Sequence, residues 1–90
     1  MIKDAIYKIS ADTRIRHEND QYILINIATQ GLHFVSETAY SFVEKIDGIK
    51  TIDEIIHELW PNITDESRNQ IYSFVDKLYE RRILTEAGKI

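Results

Sequence analysis

The chain has 90 residues, 43% hydrophobic and 29% charged, which suffices for one small domain with a single core and leaves no room for a second. It contains no cysteine, which excludes disulfides and thiolate metal sites and fits a reducing, cytoplasmic setting. A net charge of −4 argues against a phosphate-backbone binder, because nonspecific affinity for nucleic acid comes mainly from lysine and arginine releasing counterions.

The opening MIKDAIYKIS lacks the apolar run of a signal peptide, and no stretch of about 18 apolar residues exists, so no membrane span is expected. From Thr13 to His17 polar and apolar side chains alternate, and Tyr22 to Ala28 (YILINIA) is rich in β-branched and aromatic residues. Glu18 to Gln21 is polar turn material, so these two strands pair as a hairpin. Thr29-Gln30-Gly31 supplies a second turn. Leu32 and Phe34 then fall on one strand face and His33 and Val35 on the other, which completes a three-stranded antiparallel meander.

Ser36 follows at once and can cap a helix, with Glu37 near the positive end of its dipole. Ala39, Phe42, Val43 and Ile46 form the apolar stripe, and Asp47-Gly48 ends the helix. Thr51-Ile52-Asp53-Glu54 fits a capping box ahead of the apolar face Ile52, Ile55, Ile56, Leu59, and Pro61 stops this second helix. Asn62-Ile63-Thr64 matches a glycosylation sequon but reads as a helix start. Thr64-Asp65-Glu66 opens the third helix, whose buried side is Ile71, Phe74, Val75 and Leu78, running to about Arg82. Ile83-Leu84-Thr85 either continues it or forms a short final strand, and the tail from Ala87 onward is expected to fray. The expected fold is α+β, a winged helix-turn-helix with a three-stranded antiparallel sheet followed by three helices. It is one domain over residues 1–90, with its core at about 13–85 and flexible termini.

Catalytic chemistry is not expected. His17, His33 and His57 lie on different elements without metal-ligand spacing, the serines lack nucleophile-elbow glycines, and Gly31, Gly48 and Gly88 are too scattered for a phosphate cradle. The chain therefore reads as a non-enzyme without metal or cofactor. In a DNA-reading helix-turn-helix the third helix would contact bases, yet it opens with acids, and Arg68, Asn69 and Gln70 are its only plausible readers. A small DNA-binding regulator is thus an alternative, as is a structural dimerisation module.

The tyrosines are more informative. Tyr72, Val75 or Asp76, Tyr79 and Arg82 recur at spacings of three and four beside the main core stripe, as the wall of a groove or as the rim of the core. An edge strand next to such a helix would offer backbone groups for adding an extended peptide as a further strand, unless a second copy or the C-terminal tail covers it.

In their order and spacing, three segments resemble the PqqD-like peptide chaperones, also called RiPP recognition elements. Val35-Ser36-Glu37-Thr38-Ala39 is similar to the family's helix start, and Asp47-Gly48 through Thr51-Ile52-Asp53-Glu54-Ile55 to its capped middle helix. Phe74-Val75-Asp76-Lys77-Leu78 is similar to its closing helix, and the likeness spans about residues 13–85. Ser36 stands where asparagine is usual, and Arg82-Ile83-Leu84 replaces the common glycine-containing end. The resemblance implies a domain that binds the leader region of a ribosomally made precursor peptide and delivers it to a modifying enzyme, a radical SAM enzyme or a leader peptidase among the possibilities. The leader would add to the third strand at Leu32, His33, Phe34 and Val35 and pack on the third helix at Tyr72, Val75, Asp76 and Tyr79. Arg68, Arg81 or Arg82 would be available for leader acids. Neither nucleic acid nor membrane is an expected partner.

Overall fold

Asn19 and Asp20 both take positive φ, 49° and 63°, the mirror-image turn geometry that suits a two-residue hairpin because its twist matches that of the flanking strands. The computed structural model describes residues 5–89, and its elements in chain order are β1 (Ala5–Ile9), β2 (Thr13–Glu18), β3 (Gln21–Asn26), β4 (Gly31–Val35), α1 (Glu37–Glu44), α2 (Ile52–Leu59), α3 (Asp65–Glu80) and β5 (Leu84–Lys89). The expected α+β architecture is present: an antiparallel sheet in the order β2-β3-β4, followed by three helices. The strands of the first hairpin reach Glu18 and Gln21, so the turn is tighter than the four polar residues suggest.

Two features depart from the sequence reading. Ala5–Ile9 forms a strand, and it pairs antiparallel with Leu84–Lys89 in a separate two-stranded sheet. Hence the core does not begin at residue 13: Ala5 is fully buried and Tyr7 almost so. Ala87 to Lys89, expected as a tail, lie within β5, where Gly88 and Lys89 pair with Ile6 and Ala5. The remaining tail residue, Ile90, lies outside the described residues. An isolated antiparallel bridge between Ile6 and Thr51 ties β1 to the start of α2.

Each helix begins as its cap dictates. The Ser36 hydroxyl accepts from the Ala39 N–H at 3.1 Å, and the Thr64 hydroxyl from the Ser67 N–H at 3.2 Å. The Thr51-Glu54 box closes in both directions, at 3.2 Å and 2.9 Å. After α1, Gly48 sits at φ 79°, and the Asp47 carboxylate accepts from the N–H groups of Ile49 and Lys50. The end of α3 is a Schellman turn: Arg82 N–H donates to Tyr79 C=O, Ile83 N–H donates to Leu78 C=O, and Arg82 takes the left-handed conformation at φ 63°. Glycine is favoured there for want of a Cβ, which gives a physical reading of the departure at Arg82.

The core joins the inward face of β3 to all three helices and both terminal strands. Leu24, Phe42, Val43, Ile52, Ile55, Ile56, Val75, Leu78, Ile83 and Leu84 are buried in it. Asn26 is a buried polar exception. Its side-chain amide donates to the Arg82 carbonyl at 2.7 Å and its carbonyl oxygen accepts from the Thr29 N–H at 3.0 Å, clamping the β3–β4 turn to the α3–β5 corner.

Candidate binding edge and groove

The two outer strands of the three-stranded sheet differ in kind. On the face turned away from the helices, register aligns Arg14, Ile25 and Leu32 in one row and Arg16, Ile23 and Phe34 in the next. The β2 edge therefore carries cations, the usual protection of an exposed strand, with Arg14 bonded to the carbonyls of Ala11 and Thr13 and Arg16 paired with Glu18. On its inward side His17 stacks on Tyr22 at 4.2 Å, and Tyr22 packs against Tyr40 of α1. By contrast β4 carries Leu32 at 52% and Phe34 at 60% exposure, with no charge between them on that face. Among the described residues no strand pairs with the outer side of β4.

Where β4 ends, Ser36 opens onto an apolar groove of about 730 Å³. Its walls are Phe42 of α1, Trp60 and Ile63 of the α2–α3 turn, and Ile71 and Phe74 of α3, with Ser67 and Gln70 at the rim. Trp60 and Phe42 stack with centroids 6.2 Å apart. The volume is that of an ordinary ligand pocket, and the lining chemistry suits apolar side chains rather than a charged group. The sequence reading did not pick out Trp60 and Ile63. Their signal was two large apolar residues in a short segment between helices, where turn residues are normally polar.

The residues singled out in the sequence are divided among several surfaces. Leu32 and Phe34 point outward from β4, while His33 and Val35 are half-buried on the inward side. Partial burial, with the Arg81 charge as a lesser cause, holds the His33 pKa below its usual value. On α3 the four expected contact residues have different surroundings. Val75 is fully buried in the core, so Val75→Asp would bury a carboxylate rather than alter a surface. The Tyr72 hydroxyl donates to Asp53 of α2, and burial followed by that carboxylate raises the Tyr72 pKa. Tyr79 meets Tyr7 of β1 edge-on at 5.9 Å, and Asp76 is half-buried. The α3 residues that line the groove are instead Ser67, Gln70, Ile71 and Phe74. Of the three arginines, Arg68 lies 3.6 Å from Asp53, Arg81 is exposed, and Arg82 is exposed in the Schellman turn.

His17, His33 and His57 lie on β2, β4 and α2, and among the described residues no three metal-ligating side chains gather. No helix among them is long and apolar enough to cross a membrane. Comparisons with protein-family models, with curated proteins and with solved structures give no match to this chain.

Proposed function

We propose that this chain is a non-catalytic recognition module of winged helix-turn-helix type. It binds the leader region of a ribosomally synthesised precursor peptide as an additional strand on β4 and delivers it to a modifying enzyme. The observation that carries this reading is the asymmetry of the sheet. One edge is protected by Arg14 and Arg16, and the other is apolar and, among the described residues, unpaired, opening at its end onto an apolar groove.

The physical division of labour follows. Backbone hydrogen bonds to β4 would set the register of the guest, since an antiparallel edge strand turns alternate N–H and C=O groups away from its partner. Inward side chains of the guest would anchor against Phe42, Trp60, Ile63, Ile71 and Phe74, the well-packed apolar contacts that dominate binding energy. Arg81 is exposed and its charge is felt at His33 of β4, so it is the cation we assign to a leader acid. Arg68 is paired with Asp53 and α3 opens with Asp65 and Glu66, which disfavours the DNA-reading alternative because phosphates repel acids at that helix end.

Titration of labelled protein with synthetic leader peptides of candidate precursors tests the reading. Amide shifts at Leu32 to Ser36 and at Ile71 to Phe74 are expected. So is a change in the emission of Trp60, the single tryptophan, which lines the groove. A leader that binds while leaving β4 and Trp60 unperturbed refutes strand addition at this edge.

A further inference from the structure

We infer that the segment received by β4 is read on both of its faces, so that its central residues are apolar at consecutive positions rather than at alternate ones. The inference rests on the strand-addition reading and adds the chemical class of peptide that the edge accepts.

A guest strand alternates its side chains between two faces, and the groove can receive only the inward set. The outward set would lie beside Leu32 and Phe34, at the cross-strand distance of about 5 Å that lets paired side chains stabilise one another. These two residues are among the most exposed large apolar side chains of the chain, yet they are backed across the sheet by Ile25 and Ile23. The outward face thus grades from cation to isoleucine to open leucine and phenylalanine across the three strands, and the next position in each row is the guest's.

Charge does not select the outward positions. Arg14 and Arg16 stand two strands back from β4, about 10 Å away and farther still from a guest, so the nearest chemistry is wholly apolar. An acidic or hydroxylated outward side chain would leave Leu32 and Phe34 wet, whereas a β-branched or aromatic one would cover them. A second copy pairing through the same edge is the other way to cover this surface, but it would bring together two chains each of net charge −4. The class of guest is therefore a short segment of contiguous apolar, β-prone residues, which would be prone to self-association when free.

The test is to pan a phage-displayed random 12-residue library on the immobilised chain. The Leu32→Ser/Phe34→Ser double variant and the groove variant Ile71→Ala are panned in parallel. Both substitutions of the double variant are at positions more than half exposed, so it should lose only the cross-strand contacts to Ile25 and Ile23, and a cooperative melting transition certifies its fold. Peptides enriched on the wild type should carry apolar residues at adjacent positions. Replacing two outward ones by serine should weaken binding about tenfold to the wild type and hardly at all to the double variant. If the enriched peptides depend on Ile71 but are indifferent to their outward residues and to the double variant, this inference is overturned while strand addition stands. Sedimentation showing a wild-type dimer that the double variant dissolves also overturns it, in favour of a second copy. No enrichment over an unrelated immobilised protein overturns both readings.

Discussion

Replacing Asn26 probes the joint that sets the position of β4. Asn26 is 2% exposed, and its side chain bridges the Arg82 carbonyl and the Thr29 N–H. Alanine would remove both bonds. Each neutral hydrogen bond contributes about 1 kcal/mol net, and leaving the Arg82 carbonyl without its partner costs on the order of 1 kcal/mol more, so the expected loss is about 2–3 kcal/mol. Against the roughly 5–13 kcal/mol typical of a domain this size, that is a large share, corresponding to a melting temperature lower by roughly 10–20 °C. Asn26→Asp refines the argument. The carboxylate keeps the acceptor for Thr29 but faces the Arg82 carbonyl without a proton, and burial raises its pKa above the unfolded value of about 3.9. The folded state then holds a proton that the unfolded chain has released. The penalty is therefore small below the unfolded pKa, grows as pH rises, and is complete above the folded pKa. Urea unfolding followed by circular dichroism at pH 7 and pH 4 should show the aspartate variant less stable than the alanine variant at the higher pH and recovering, relative to wild type, at the lower. An alanine variant within about 0.5 kcal/mol of wild type would refute the clamp. An aspartate variant with the wild-type pH response would refute the assigned direction of the amide.

Two further outcomes follow from the same region. Arg82→Gly should raise stability by about 0.5–1 kcal/mol, because it removes the cost of an L side chain at φ 63° while adding the backbone entropy of glycine; an unchanged urea midpoint would mean that the position is unstrained. His33 has a folded pKa depressed below 6.5, so its contribution is fully present above that value and is lost as pH falls through the folded pKa. His33→Gln should flatten the loss of the urea midpoint between pH 7 and pH 5.5, and an acid limb identical to wild type would show that protonation there is not linked to folding.

Much of the architecture was legible because it is written in local signals. Strands β2 to β4 follow from alternation interrupted by polar turns, and the three helices from Ser36, Thr51 and Thr64, whose hydroxyls all accept the expected bonds. The first strand was not legible. AIYKI is short, and what stabilises it is Leu84–Lys89 at the other end of the chain, a pairing that no window of sequence contains. The two faces of β4 were legible in the sequence, whereas which side of α3 lines the groove was not. Helix α3 packs on α2 through Tyr72 and Asp53, on β1 through Tyr79 and Tyr7, and on the core through Val75, so its apolar and aromatic arc is wide. Periodicity delimits such an arc but not the part of it that meets the groove, which proved to be Ile71 and Phe74.

By itself the sequence determined the kinds of element, their caps and the two-faced character of Leu32 to Val35, since these depend on side chains within a few residues of one another. Only the tertiary structure decided that β1 and β5 close the domain, that Trp60 and Ile63 wall a groove, and that β4 lacks the charges that shield β2. Those features come from pairings between distant segments, where register and packing choose which of several locally acceptable faces is buried and which is left exposed.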